Sequence, residues 1–109
     1  MGLQKMLIDK DLVSKLREKL LAIHESFLEI IDERDDLEIV ARLDDDVVEE
    51  LALMVLEDAG RPLLWRELKL IFSGVVGEGR LRRALYDLAG RGRVLRVKRE
   101  VYGLRGSVN

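Results

Sequence analysis

Arginines recur in the second half of the chain at spacings that would let several of them contact one anionic partner. A guanidinium is always charged and can donate two parallel hydrogen bonds to a phosphate or to the edge of a guanine. These residue types therefore predict binding to a polyanion. The clustered cations that could contribute are Arg80, Arg82, Arg83, Arg93, Arg96, Lys98 and Arg99.

The charge of the chain is divided between its two halves. Residues 1–59 carry seven Lys or Arg against seventeen Asp or Glu, whereas residues 60–109 carry twelve against four. The formal charge of −2 for the whole chain therefore conceals a strongly basic second half. Because such a surface attracts phosphate backbones, we expect duplex DNA as the partner.

Residue types suited to catalysis or metal binding are scarce. The chain has no cysteine and one histidine, His24, whose place between two apolar stripes is more typical of a core edge than of a general base. The consecutive aspartates at 44–46 are explained by a helix N-terminus, where carboxylates are favourable. We therefore expect no enzymatic activity, no metal and no cofactor.

The composition also indicates a location. No run of about 18 apolar residues occurs, so no transmembrane helix is expected, and the first residues lack the apolar core of a signal peptide. The absence of cysteine suits a reducing compartment. These features predict a cytoplasmic protein, and the single Gln and single Asn beside many charges are typical of a thermophile.

The residues that precede the basic half predict one long amphipathic helix from residue 10 to about 40. Apolar residues recur every three or four positions, and Leu21, Leu28 and Ile31 form a second stripe beside them. A face this wide can pack on its own domain and also on a second subunit, although packing within one chain alone is the other possibility. For the homodimer, the predicted seam is Val13, Leu16, Leu20, Ile23, Phe27, Ile30 and Leu37.

The remaining residues predict three short helices followed by a β-ribbon. The first covers residues 47–59, with Asp46 and Glu49 as a capping box and Gly60 as its end signal. Helices over residues 64–72 and 78–89 follow. Strands over residues 93–97 and 101–104, joined by a polar turn, complete the pattern.

Four motifs carry a resemblance to a known family: LEDAGRPL at 56–63, WREL at 65–68, LRRALYDLAGRGRV at 81–94 and VYGL at 101–104. In these motifs the chain resembles winged helix-turn-helix DNA-binding domains, especially small archaeal and bacterial regulators. The resemblance covers about residues 44–105 and implies a mainly α fold with a small β-ribbon. With the long amphipathic helix predicted from the apolar spacing placed before it, the chain divides into a helical extension (1–43), a winged-helix domain (44–105) and a tail (106–109).

The chain departs from the family pattern at two places. Leu64 stands where many relatives have a Ser or Thr that caps the second helix. The segment before the third helix is long and contains Gly74, Gly77 and Gly79.

The resemblance implies a transcriptional regulator that contacts duplex DNA with its third helix and a basic wing. With Leu81, Leu85 and Leu88 turned inward, Arg83 points most directly outward from that helix. Cations around the second helix would hold flanking phosphates. The predicted DNA-binding residues are therefore Arg61, Arg66, Lys69, Arg80, Arg82, Arg83, Tyr86, Arg93, Arg96, Lys98 and Arg99.

Two other functions stay open at this point. Asp87 lies four residues after Arg83, where it could pair with it and would repel phosphate. Together with the acidic first half, this favours a winged helix that docks another protein in a transcription, replication or division complex. The basic surface would also suit RNA or a ribosome, with structured RNA preferred over duplex DNA.

Overall fold

A computed structural model of the chain describes residues 7–33 and 43–104, with side chains described for all of these except 27–33 and 98. The described residues are mainly helical with a small antiparallel sheet, so the predicted class, mainly α with a small β component, is confirmed. The elements are α1 (Lys10–Glu33), α2 (Asp45–Ala59), β1 (Leu63–Leu64), α3 (Trp65–Phe72), α4 (Glu78–Gly90), β2 (Val94–Lys98) and β3 (Val101–Leu104). None of the described helices is at once long and apolar enough to cross a bilayer.

The sheet has the strand order β1-β3-β2, so β3 is central and β2 lies at an edge. Tyr102 on β3 pairs with Leu63 on one side and with Arg96 on the other. The register shifts between Arg96 and Lys98, immediately before the turn into β3. The two-residue strand β1, which has no counterpart among the predicted elements, ties this ribbon to the start of α3.

One apolar core joins the four helices and the sheet. Leu68 and Phe72 of α3, Val55 of α2 and Leu85 of α4 have no exposed surface, and all belong to a single cluster of buried residues. Because the buried positions of α4 recur at the predicted spacing, the opposite face of that helix is turned to solvent.

α2 begins two residues earlier than predicted, and the predicted capping box is wrong. Its N-cap is Asp44 in an extended conformation, whose side chain makes no capping bond, and Glu49 pairs instead with Arg91. The end of the helix is as predicted. Gly60 adopts a left-handed conformation with φ of 69°, and its N–H donates to the carbonyl of Glu57.

α1 packs on its own chain along part of the predicted seam. Val13, Leu16 and Leu20 are 7, 3 and 0 % exposed within one chain. Their apolar surface is therefore taken up by the core and is not available to a second subunit. Ile23 is only partly buried against the core. For the rest of the seam, the side chains of Phe27 and Ile30, and Leu37 altogether, lie outside the described residues, as does any helix beyond Glu33.

Polar contacts fasten α1 to both ends of α3. The backbone N–H of Asp9 donates to the Glu67 carboxylate at 3.0 Å, near the start of α3. Arg17 Nη1 reaches the other end, where helices leave carbonyl oxygens without intrahelical partners. It donates to the carbonyls of Leu70, Ile71 and Ser73 at 2.9, 3.1 and 2.7 Å.

Candidate nucleic-acid interface

The outer face of α4 carries the residues that the sequence assigns to a DNA contact. Leu81, Leu85 and Leu88 are at most 1 % exposed, so α4 presents Arg83 and Tyr86 to solvent on its other side. The three arginines of this helix nevertheless have different surroundings, and these decide which of them can contact a ligand.

Arg82 contacts three other residues of its own chain. Its two Nη atoms lie 3.4 and 3.2 Å from the two carboxylate oxygens of Glu100, and its guanidinium carbon lies 4.2 Å from the centre of the Trp65 ring. Nη1 also lies 3.3 Å from the Tyr86 hydroxyl. The hydrogen bonds to Tyr86 and to Glu100 raise the pKa of Arg82 above its usual range. We call these four residues the clasp, because they fasten the turn of the ribbon to α4 and to the start of α3.

The turn that supplies Glu100 is itself fixed by the backbone. Glu100 has a φ of 64° and is the only non-glycine residue with a positive φ among those that the structure describes. Its carbonyl accepts a hydrogen bond from the Trp65 N–H at 2.7 Å. A left-handed conformation is unfavourable for a residue with a Cβ. The turn therefore depends on its contacts with α3 and α4 for its position.

Arg80 and Arg91 are also occupied by partners within the chain. Arg80 Nη2 donates to the carbonyl of Leu43 at 2.5 Å and to Asp45 at 2.8 Å. Arg91, just after α4, pairs with Glu49 of α2. These two arginines connect α4 to the start of α2. Because each is paired with a carboxylate, the repulsion between the cations of this region is reduced.

Arg61, expected to hold a phosphate, instead pairs with a buried carboxylate. Its Nη2 lies 3.0 Å from Glu67, and Nη1 donates to the carbonyl of Pro62 at 2.7 Å. Glu67 has no exposed surface, and it accepts the N–H groups of Asp9 at 3.0 Å and Leu64 at 2.9 Å.

Glu67 is the residue that sequence reasoning missed. Burial by itself raises the pKa of this carboxyl, but the hydrogen bond from Arg61 and those from the Leu64 and Asp9 amides outweigh burial, so the pKa lies below its ordinary value. Glu67 also supplies part of the cap that Leu64 cannot, because it stands at the third position of α3 and accepts from the backbone of the N-cap residue. That three-residue spacing in the sequence is the signal that could have identified it.

Arg83 has no ion-pair partner among the described residues, but acids are close to it. It is exposed, and it lines a depression between α2 and α4 together with Asp45, Glu49, Arg80, Ala84 and Asp87. The carboxylates lower the positive potential there. This end of α4 is therefore less favourable to a phosphate than its arginine content alone predicts.

The wing, defined here as residues 93–104, carries cations that are exposed and that form no ion pair with the described residues. Arg93, Arg96 and Arg99 are exposed, and within the described residues none of them forms an ion pair. Lys98 belongs to the same strand, but its side chain lies outside the described set. Because β2 is an edge strand, no other strand in the described part of the chain lies along its outer side.

Tyr102 lies beneath the wing with its hydroxyl unused. The residue is fully buried, and its Oη has no hydrogen-bond partner among the described residues. Burial raises the pKa of the Tyr102 hydroxyl, and the charges of Arg82 and Arg96 partly offset that effect. The Tyr102 hydroxyl is therefore close enough to both Arg96 of the wing and Arg82 of the clasp to be influenced by their charges.

The two cations predicted from the second helix lie on α3. Arg66 is exposed and Lys69 is partly exposed. Lys69 falls in the last turn of the helix, where a cation interacts favourably with the helix dipole.

The arrangement separates cations with structural partners from cations that face solvent, and the second group is concentrated on the wing. Exposed guanidinium groups on an edge ribbon can donate hydrogen bonds to the phosphates of a polyanion without first breaking an ion pair.

No family model, curated protein or solved structure matches this chain. Its function is therefore inferred from its own residues.

Proposed function

We propose that this chain is a winged-helix DNA-binding protein of the transcriptional-regulator type, which binds the backbone of duplex DNA with its wing. The order of elements from α2 to β3 supports the fold: three helices, a short strand before the second of them, and a terminal two-stranded ribbon. In that arrangement α4 is the helix that would approach the major groove.

The observation that carries the proposal is the division of the arginines. Arg61, Arg80, Arg82 and Arg91 have carboxylate partners within the chain. Residues 93–99, in contrast, contain four cations and no acid. Binding to a phosphate would release counterions there without the cost of breaking an internal pair.

The wing and α4 would contribute differently. Contacts from Arg93, Arg96 and Arg99 to phosphates supply affinity that falls with salt but carries no sequence information. Arg83 is the residue of α4 that could reach a base edge, at about 1–3 kcal/mol of discrimination for a good bidentate contact. Because Asp87 is nearby, we expect most of the affinity to come from the wing.

The test is fluorescence anisotropy of a labelled mixed-sequence duplex titrated with protein over a series of salt concentrations. Arg96→Ala and Arg99→Ala should each weaken binding and reduce the slope of log K against log salt by about 1. The matched control is Arg91→Ala, an exposed arginine that already pairs with Glu49 and should leave the slope unchanged.

Absence of binding at low salt, or equal losses in the wing variants and in Arg91→Ala, would contradict the proposal. Competition by unlabelled RNA distinguishes a related function. If a structured RNA displaces the duplex at far lower concentration than unlabelled DNA does, the wing serves RNA instead.

A further inference from the structure

We propose that the outer edge of β2 binds an extended acidic segment of another protein, which adds to the sheet as a further strand. Phosphate contacts by the arginines of the wing leave two features of β2 without a role: its backbone edge and the apolar side chains of Leu95 and Val97. Such a partner can bind whether or not the wing also binds DNA.

The backbone of β2 has one side along which an incoming strand can lie. β3 occupies the other side, and no further strand of the described residues pairs with β2. An edge strand presents N–H and C=O groups that another extended chain can pair with. The register with β3 is regular from Val94 to Arg96 and shifts only between Arg96 and Lys98. An incoming strand would therefore meet a regular edge over Val94–Arg96.

Leu95 and Val97 are apolar side chains that the fold leaves uncovered on this strand. They are 37 and 38 % exposed, and neither belongs to the cluster of buried residues that includes Val94. Cross-strand neighbours cover such side chains within a sheet. Apolar residues of an added strand would cover Leu95 and Val97 in the same way.

The charges of the wing identify an acidic chain as the occupant. Arg93, Arg96 and Arg99 are exposed, none of them forms an ion pair with a described residue, and residues 93–99 contain no acid. A second copy of β2 would set these cations against the same cations, and like charges on paired strands repel. Cations on an edge therefore oppose self-pairing and favour a partner strand in which Asp or Glu alternates with apolar residues.

The first acid after β2 does not neutralise these cations. The carboxylate of Glu100 lies 3.2 Å from Arg82 of α4, so its charge is balanced within the clasp. The arginines of the wing are therefore available to the acids of a partner.

The test is fluorescence anisotropy of a labelled peptide that alternates Glu with Val and is long enough to span the five residues of β2. The matched control is a peptide of the same composition with its glutamates and valines in separate blocks. It has the same charge but cannot place an apolar residue beside each acid. The alternating peptide should bind at least about tenfold more tightly than the control, since both its backbone and its side chains match the edge.

Protein variants separate the apolar contact from the charge. Leu95→Thr and Val97→Thr keep a β-branched residue or introduce one, but they remove apolar surface, so each should weaken peptide binding about twofold to fivefold. Arg96→Ala should weaken it by a similar factor, about twofold to fivefold. Two controls should leave it unchanged: Leu70→Gln, at a 47 % exposed apolar residue on α3, and Arg91→Ala, at an arginine that is paired with α2.

Hydrogen exchange distinguishes an added strand from a contact between side chains. The bound peptide should slow exchange of amides in β2, because its carbonyls accept hydrogen bonds from N–H groups at the outer edge. A duplex held by arginine side chains should leave the exchange of these amides unchanged.

The same variants keep the acidic partner apart from DNA binding. Because Leu95→Thr and Val97→Thr retain every cation, neither should change the affinity for duplex DNA. Peptide binding without duplex binding would support the acidic partner and contradict the proposed function. Duplex binding without peptide binding would do the reverse.

Three other results would overturn the proposal: equal affinity for the alternating and blocked peptides, wild-type affinity in both threonine variants, or unchanged exchange in β2 when the peptide is bound. A fourth is a wild-type chain that is dimeric by light scattering and protects β2 without peptide. In that case a second copy occupies the edge.

Discussion

Two Arg–Glu pairs lie where different elements of the molecule meet, and water reaches the two pairs to different extents. At the junction of α1 and α3, the Glu67 side chain is 0 % exposed and binds Arg61 and two backbone amides. In the clasp, the Glu100 side chain is 43 % exposed and binds Arg82. The same chemistry therefore has different consequences, because an uncompensated charge costs far more when it is buried.

The largest expected effect comes from removing the buried charge. Glu67→Gln should lower the free energy of unfolding by about 2–3 kcal/mol, at or below the lower end for a broken buried pair because Arg61 is still 39 % exposed. Urea unfolding followed by circular dichroism measures the change. Glu100→Gln is the matched control and should lose under about 1 kcal/mol. Equal losses would remove the distinction between the two pairs.

The next effect is a dependence on pH. The pKa of Glu67 is lower in the folded chain than its ordinary value of 4.5, so its contribution to stability is present above pH 4.5 and is lost as pH falls through the folded pKa. Unfolding measured between pH 7 and pH 3 should therefore show a shallower loss of stability at the acidic end for Glu67→Gln than for the wild type. Parallel curves for the two proteins would be inconsistent with a lowered pKa at Glu67.

The clasp should show a smaller effect. Arg82→Ala should cost about 1–1.5 kcal/mol, because it removes the contact with the Trp65 ring as well as the ion pair. Glu100→Ala removes only the pair and should cost less. A double-mutant cycle between them should give a coupling of under about 1 kcal/mol. A coupling of several kcal/mol would mean that the clasp behaves as a buried pair.

The smallest effect is expected at Tyr102, whose hydroxyl has no partner among the described residues. Tyr102→Phe keeps the ring in the core and removes a buried polar atom. Stability should change by under about 0.5 kcal/mol or should rise, since an unpaired buried hydroxyl is unfavourable. A loss above about 1 kcal/mol in thermal unfolding would indicate that the hydroxyl has a partner after all.

The parts of the fold that the sequence predicts are those set by local spacing. Leu81, Leu85 and Leu88 define the buried face of α4 without reference to any other element, and Gly60 marks the end of α2 by its own conformational freedom. β1 could not be predicted in this way. Two leucines have no periodicity, and they form a strand only because β3 lies beside them.

The candidate site was less predictable, because the sequence gives the number of charged residues but not the ion-pair partner of each. Arg82 and Glu100 are 18 residues apart, and Asp9 reaches Glu67 across 58 residues. These pairings exist only once the helices have packed. Sequence spacing could therefore identify a basic region but could not separate Arg96, which is exposed, from Arg61 and Arg82, which are bound within the chain.

The attachment of α1 to both ends of α3, through Asp9 and Arg17, has a mechanical consequence. Because α3 is held at both of its ends, by residues 9 and 17 at the beginning of α1, the two helices cannot rotate independently there. A rotation of the first part of α1 would therefore be transmitted to α3 and, through Trp65, to the clasp and the wing. A substitution at Arg17 would therefore be expected to alter the position of the wing, because it removes one of the two points at which α3 is held.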